Sequence, residues 1–233
     1  MRLLILLALD AALAFSQPKQ PPAGWKLLFN NKNLDGWENR GDGQWKVLTD
    51  GTLTGQRVWD RKMLAPGGKF STAKEFQSWL DRQAWLYTVA EFGNFDLHAE
   101  FWTKTAGNSG ISLRDPSRGE FGIQDPPDFK QTPSKLGYEI QINNRYPDVT
   151  TTGSVYTFNK APTEAMKEDD WNTFDIEVRT ETIRVKLNGV LVSNVACDPK
   201  RPVKGPIGLQ FIESDIFGHG GGEALATDRK SVV

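Results

Sequence analysis

Cysteine and histidine are scarce in this sequence. Its 233 residues include one cysteine, Cys197, and two histidines, His98 and His219. A single cysteine cannot form a disulfide within the chain, and we interpret Cys197 as a small buried residue rather than a nucleophile. The same scarcity disfavours a zinc site built from several histidines and a catalytic Cys–His pair.

An excess of charge of one sign is also lacking. The formal net charge is -1 and the sequence pI is about 6.2. This balance gives no electrostatic reason to expect nucleic acid or an anionic membrane surface as a partner. Hydrophobic residues make up 38% of the chain and charged residues 24%, which is typical of a globular protein. The length suits one large all-β domain or two small ones.

No apolar run is long enough to span a bilayer as a stable helix. The N-terminus has Arg2, then apolar residues at 3–9 and 11–15 that are separated by Asp10. This pattern resembles a secretory signal peptide, which we place at residues 1–16, with a linker at 17–23. The sequence therefore predicts an exported protein, periplasmic or secreted, without a membrane span.

Strand patterns bounded by turn residues recur along the whole chain. They predict strands at residues 26–29, 45–48, 52–55, 85–88, 95–103, 110–114, 138–143, 154–158, 173–179, 183–187, 190–195 and 207–212. Asp50-Gly51 and Asn188-Gly189 predict type I′ hairpin turns, and Thr180-Glu181 predicts a further hairpin. Strands joined by turns, without a recurrent helical period, indicate an all-β antiparallel sandwich.

Two longer segments interrupt the strands. Residues 60–82 form an insertion that is either functional or a surface elaboration, and a helix is predicted within it at 71–80, where Ser71 or Thr72 combines with Glu75 in a capping-box pattern. Residues 115–135 are rich in proline, glycine and aspartate. This second segment joins two strands of polar character and is expected to form the rim of a pocket.

Those two strands, at 110–114 and 138–143, alternate apolar and polar side chains. Alternation places the polar ones on a single face of each strand. Nothing in the local turn chemistry explains a carboxylate, several amides and a guanidinium there. Such groups suit a ligand covered in hydroxyls, and a sugar is the obvious candidate. The polar residues of this region are Asn108, Ser109, Ser112, Arg114, Glu139, Gln141 and Asn143.

Several sequence blocks resemble, in order, those of the 3-keto-disaccharide hydrolase family. The first is the segment 24–37, which reads GWKLLFNNKNLDGW. The others are 85–88 with 92–97, 107–111 with Arg114, 137–142, Trp171-Asn172, 187–189 and 205–210. Each block alone is a weak signal, but together, in the same order, they are fairly specific. We place the family-like domain at residues 24–217.

The resemblance implies a fold and an activity. The fold would be a concanavalin A-like jelly-roll β-sandwich with a sugar-binding face. The activity would be cleavage of glycosides or disaccharides that are oxidised at C3, by a lyase, a hydratase or net hydrolysis. The family usually ends with a further strand, which we expect to be missing here, and residues 218–233 are expected to be a truncated or non-native tail.

The resemblance also suggests a mechanism with one base. A ketone at C3 acidifies the proton on C2, so that removal of this proton can expel the oxygen on C1. We predict Glu139 as the general base or acid, with Arg114 and Gln141 as donors to the sugar oxygens. An internal Glu139–Arg114 ion pair is the structural alternative. Substrate-binding roles are predicted for Asn108, Ser109, Asn143, Tyr156, Trp85 and Tyr87, the last two as stacking surfaces.

Two other functions stay open. A non-catalytic carbohydrate-binding module would share the fold and bind unoxidised sugars. A conventional glycoside hydrolase would need a second carboxylate, for which Glu100, Asp115 and Asp175 are the candidates. No cofactor is identified, although a divalent metal held by carboxylate and amide oxygens is a further alternative. The predicted partner is a small carbohydrate, and an oxidoreductase acting at C3 of sugars would supply it.

Overall fold

The computed structural model describes residues 23–57, 61–102, 107–143 and 150–211. The predicted signal peptide, most of the linker and the predicted tail lie outside these residues, as do the last residues of the strands predicted at 95–103 and 207–212. Eleven strands are present in the described part: β1 (Trp37–Arg40), β2 (Gln44–Val47), β3 (Leu53–Gln56), β4 (Ala84–Thr88), β5 (Phe95–Phe101), β6 (Asn108–Leu113), β7 (Tyr138–Asn143), β8 (Asn172–Val178), β9 (Thr182–Leu187), β10 (Val190–Ala196) and β11 (Ile207–Phe211).

Two antiparallel sheets form the sandwich that the sequence predicts. The five-stranded sheet has the order β1-β4-β11-β6-β7, and the four-stranded sheet has the order β10-β9-β8-β5. Strands β2 and β3 form a separate hairpin. The main core lies between the two sheets, because alternate residues of each strand point inward. Ile140 of β7 and Phe174 of β8 are among its fully buried members.

The predicted hairpins are present, but one has a different turn. At Asn188-Gly189 both residues have positive φ, 50° and 83°, as a type I′ turn requires. Between β2 and β3 only Gly51 has positive φ, at 84°, and its amide donates to the carbonyl of Leu48. This is a longer loop, in which a three-residue turn ends on a left-handed glycine. The Asp50-Gly51 pair therefore marks the hairpin correctly but not its turn type.

Two predicted strands are wrong, and β1 was missed. Residues 26–29 contain only an isolated bridge at Leu27, and the carbonyl of Leu28 accepts the indole N–H of Trp37 instead of a neighbouring strand. Residues 154–158 bridge to β7 at Val155 alone. The chain turns immediately afterwards, because Thr157 has a φ of 70°. Alternation over four or five residues does not reveal whether a partner strand is within reach.

The predicted insertion, between β3 and β4, contains two helical elements. A 3₁₀ helix (Arg61–Leu64) precedes α1 (Ala73–Asp81), and the predicted capping box between Thr72 and Glu75 is present. Helix α1 forms a small apolar cluster of its own with Phe70. Two single-turn helices, α2 (Glu120–Ile123) and α3 (Pro133–Leu136), follow between β6 and β7.

Arg57 fixes the end of α1 to the body of the domain. Its side chain is fully buried and donates to both carboxylate oxygens of Asp42. It also donates to the carbonyls of Trp79 and Arg82 at the C-terminal end of the helix. The guanidinium carbon lies 4.3 Å from the centre of the Trp79 ring. One side chain thus joins the insertion to the segment that follows β1.

Replacing Arg57 by leucine is expected to destabilise the protein by about 3 kcal/mol, because Asp42 and the carbonyls of Trp79 and Arg82 lose a buried cationic donor. Urea unfolding of the purified variant would measure this change. Arg57→Lys is the matched control: it keeps the charge but loses the planar fork, and we expect an intermediate loss. Wild-type stability in the leucine variant would contradict the anchoring role.

Candidate functional site

The polar residues of β6 and β7 share the outer face of the five-stranded sheet. Ser112 lies opposite Glu139, Gly110 opposite Gln141, and Asn108 opposite Asn143. The alternate residues of β7 belong to the core on the other side. We call this outer surface the polar face, and it comprises Asn108, Ser112, Glu139, Gln141, Asn143 and Gln210. The alternation in the sequence therefore places the predicted carboxylate and amides together correctly.

Glycines on this face leave room for side chains to lie across the sheet. A Cβ atom on Gly110 would meet Oε1 of Glu139 at 2.6 Å, so the Glu139 side chain occupies the space beside β6. A Cβ atom on Gly208 would meet the Tyr87 ring at 2.4 Å. Gly208 lies on β11, the central strand of the sheet. The two glycines let Glu139 and Tyr87 extend towards each other over the middle of the sheet.

Glu139 is a buried carboxyl group that forms no ion pair with any residue of the described ranges. Only 5% of the residue is exposed, and burial raises its pKa from 4.5 to about 8. The side chains of Gln210 and Ser134 partly offset this rise in the pKa. The carboxyl group therefore keeps its proton at neutral pH in the unliganded protein. A carboxyl group poised near the operating pH is what general acid–base catalysis requires.

Gln210 was not predicted as a site residue, although it lies beside Glu139. It is 1% exposed, and neither its amide nitrogen nor its amide oxygen makes a hydrogen bond with the part of the chain that the structure describes. Its proximity to Glu139 lowers the pKa of that carboxyl group, but the geometry falls short of a hydrogen bond. Each unmet buried polar group costs about 1–3 kcal/mol. The signal was available, since Gly208 and Gln210 alternate with apolar residues just as the polar residues of β7 do.

The other amides of the polar face have partners. Gln141 donates to the side-chain oxygen of Asn108 over 3.0 Å. Asn143 donates to the carbonyl of Thr150 over 2.8 Å, and its backbone amide donates to Thr152. These contacts keep Asn108, Gln141 and Asn143 together, as the sequence predicts, and join them to the segment that follows β7. Their roles as donors and binding residues stay predictions.

Trp85 and Tyr87 also face outward, but no sugar can stack on them in this conformation. Both rings are fully buried by residues 115–136, which we call the covering loop. A Cβ atom on Gly119 would lie 2.7 Å from the Trp85 ring, which shows how closely the loop approaches. The Tyr87 hydroxyl donates to Asp115 over 2.9 Å. The segment that is expected to form a rim instead covers the two predicted stacking residues.

Arg114 does not join Glu139. Strand β6 ends at Leu113, and Arg114 adopts a φ of 61°, which breaks the alternation assumed from the sequence. Its guanidinium donates to the carbonyls of Gly93, over 2.6 Å, and Arg179, over 3.2 Å. The predicted role of Arg114 as a donor to the substrate and the alternative of an internal ion pair with Glu139 are both unsupported. We assign Arg114 no part in the site.

Ser109 and Tyr156 lie at different distances from the polar face. Ser109 is opposite Ile142, so it points to the core side, where its hydroxyl donates to the carbonyl of Gln210. It is therefore a structural link between β6 and β11 rather than a binding contact. Tyr156 is half-buried beside β7, and its backbone amide donates to the carbonyl of Glu139. Its binding role stays a prediction.

Two of the three candidates for a second carboxylate lie on the other sheet from Glu139, and the third already accepts hydrogen bonds within the chain. Glu100 and Asp175 flank His98 on the outer face of the four-stranded sheet. Asp115 is close to the polar face, but it accepts hydrogen bonds from Tyr87 and from Ser117 and Gly119 of its own loop. Within the described ranges, none of these three candidates forms with Glu139 the pair of carboxyl groups used in conventional glycoside hydrolysis.

A shallow pocket of about 250 Å³ lies elsewhere, on the outer face of the four-stranded sheet beside Trp25. Its charged residues are matched across strands: Asp175 lies opposite Lys186, and Glu177 opposite Arg184. Such cross-strand pairs are typical of a solvated sheet surface. We place the candidate site on the polar face instead, because that face holds the buried groups whose chemistry is not satisfied internally.

The described residues contain no group of three or more histidine, cysteine, aspartate or glutamate side chains that could hold a metal ion. No helix within the described ranges is long and apolar enough to cross a membrane.

Solved structures place the fold among the jelly-roll sandwiches of the concanavalin A-like type. A Parabacteroides distasonis protein provisionally assigned as a glycosyl hydrolase is 22% identical, with a TM-score of 0.59 over 90% of this chain and 98% of that one. A galectin-like protein of unknown function from Bacillus subtilis gives 12% identity and a TM-score of 0.56 over 89% and 93%. The β-glucanase of Bacillus licheniformis gives 12% and 0.51 over 89% and 95%. These likenesses concern the fold alone.

The fold and the polar face define the class of domain as a jelly-roll β-sandwich with a polar outer sheet face. The chain belongs to the family of 3-keto-alpha-glucoside-1,2-lyase-like domains, whose model matches residues 24–217. This confirms the family that the sequence blocks resemble. No curated protein matches the chain closely enough to add a relative.

Proposed function

We propose that this domain cleaves 3-keto-α-glucosides by elimination across C1 and C2, with Glu139 as the acid–base group. The observation that supports this most directly is the buried carboxyl group of Glu139 on a face lined by amides, with its pKa raised to about 8. The family description points to the same bond. Hydration of the unsaturated product would then give net hydrolysis.

The proposed reaction needs one proton acceptor. The Glu139 carboxylate removes the proton from C2, and the electrons of that bond form an enolate with the ketone oxygen. The enolate then re-forms the ketone while a C1–C2 double bond forms and the C1–O bond breaks. The departing oxygen takes up a proton, which Glu139 can return. No oxocarbenium ion develops, so a second carboxylate is not required.

A raised pKa suits the basic role of Glu139. A carboxylate whose conjugate acid has a pKa of about 8 is a stronger base than an ordinary glutamate, and it therefore suits a weakly acidic C–H bond. Gln141 and Asn108 would bind the sugar hydroxyls. Because Glu139 is only 5% exposed, substrate binding includes a displacement of the covering loop, whose Ser134 lies beside the carboxyl group.

The proposal can be tested by proton NMR in heavy water at neutral pH, with the full chain and a 3-keto-α-glucosyl disaccharide. We expect release of the second sugar, together with either an enone at C1–C2–C3 or its hydrated form carrying deuterium at C2. An accumulating enone indicates a lyase, and deuterium at C2 indicates hydration as well. A sample without protein corrects for spontaneous exchange next to the ketone.

Two outcomes would overturn the elimination. Release of a product that keeps its original hydrogen at C2 would indicate direct displacement at C1, as in a conventional hydrolase. Saturable binding of an unoxidised disaccharide, with no release from the oxidised one, would indicate a carbohydrate-binding module. If the domain cleaves 3-keto-glucosides, whether by elimination or by displacement, its substrate would come from a reaction that oxidises C3 of a glucoside.

A further inference from the structure

Gln210 stands out among the amides of the polar face. Gln141 and Asn143 have hydrogen-bond partners within the chain, whereas both polar atoms of the Gln210 side chain are buried without one. A buried amide with no partner costs stability that an apolar side chain of the same size would not. Neither its donor nor its acceptor is paired with another residue of the described ranges, so both are available to a bound ligand.

The position of Gln210 matches the geometry of the proposed reaction. It lies on β11, the central strand, opposite Trp85 of β4. On the other side lies β6, where Gly110 has no side chain and the Glu139 carboxyl group fills the space. The two side chains are consequently neighbours on the sheet. A base for the C2 proton and a donor to the C3 oxygen must also be neighbours, because these two carbons are bonded to each other.

We propose that Gln210 binds the oxidised carbon of the sugar, its amide N–H donating to the C3 ketone oxygen and its amide oxygen accepting from an adjacent hydroxyl. This inference rests on the proposed function and identifies the residue that selects a ketone at C3. The N–H contact strengthens when the ketone oxygen becomes an enolate, so it stabilises the transition state more than the bound substrate. A hydroxyl group at C3 does not become an enolate, so its contact with the amide N–H would not strengthen in the transition state.

The test compares wild type with Gln210→Leu, which has a similar size but no amide. We expect kcat/KM for the 3-keto-α-glucoside to fall about 100-fold. We also expect Tm to rise, because the variant removes unmet polar groups from a buried position. Gln141→Leu is the matched control on the same face: it removes an amide that has a partner, Asn108, so its Tm should fall. A merely structural role of Gln210 would lower Tm as well.

A second measurement separates this inference from the proposed function. The probes are 1,5-anhydroglucitol and its 3-keto form, which carry no leaving group, and calorimetry gives the affinity of each. We expect wild type to prefer the ketone and Gln210→Leu to lose most of that preference. Equal preference in the two proteins, or full turnover in the variant, would overturn the role of Gln210. A preference that depends on Gln210 without any turnover would instead refute only the proposed reaction.

Discussion

Replacing Glu139 by glutamine is expected to reduce turnover of a 3-keto-α-glucoside by about 1,000-fold without unfolding the domain. The amide has almost the shape of the protonated carboxyl group that burial favours, so the packing beside Gly110 should persist. It cannot accept the proton from C2 or return it to the departing oxygen. Steady-state release of the second sugar, with circular dichroism as a check on the fold, measures the effect.

Glu38 provides the matched control for this variant. It is a carboxylate on the same sheet face, opposite Tyr87, but it lies on the edge strand β1 and pairs with Arg118. Glu38→Gln should therefore keep near-normal turnover. The pH dependence distinguishes the two roles of Glu139: kcat/KM should rise towards pH 8 if the carboxylate is the base. Turnover in Glu139→Gln within tenfold of wild type would remove Glu139 from the mechanism.

The sequence predicts the site best where a strand is regular. Along β7, alternation alone separates Glu139, Gln141 and Asn143 from the core residues, and the structure keeps that division over the whole strand. The pairing with Asn108 follows from the antiparallel register of two neighbouring strands. Regular strands make such inference dependable, because the side-chain period is fixed by the backbone.

Prediction fails where the backbone leaves the strand. Arg114 continues the polar alternation of β6 in the sequence, but its left-handed backbone turns the side chain towards Gly93 and Arg179. The sequence predicts a binding role for both Asn108 and Ser109, although adjacent strand residues point to opposite faces of the sheet. A positive φ at one residue cannot be predicted from the sequence when that residue type rarely adopts it.

Covering segments are the other source of error. Trp85 and Tyr87 have the side chains and the face that sugar stacking requires, but the covering loop buries both. That burial depends on contacts between segments far apart in the chain, such as Tyr87 with Asp115 and Gly119 with Trp85. Gln210 was missed for the opposite reason, since the pattern in β11 was visible but its lack of partners was not. Whether a buried polar group has a hydrogen-bond partner depends on the assembled fold.

The stability of the protein should depend on pH through Glu139. Its pKa is about 8 in the folded state and about 4.5 in the unfolded chain. Below pH 4.5 both states carry the proton, so the stabilising effect of the raised pKa of Glu139 has its full value. Between pH 4.5 and 8 the unfolded chain releases the proton while the folded state keeps it. The free energy of unfolding therefore falls by about 1.4 kcal/mol for each pH unit in this window, and the loss ends above pH 8.

Glu139→Gln isolates this contribution, because glutamine stays neutral at every pH. Urea unfolding of wild type and variant at pH 5, 6, 7, 8 and 9 gives two stability curves, and their difference cancels the other titrating groups. We expect the free energy of unfolding of the variant to rise steadily relative to that of wild type from pH 5 to pH 8. Above pH 8 the difference between the two should stay constant. A difference that does not change with pH would mean that Glu139 ionises normally in the folded protein, and the basis for its role as a strong base would be lost.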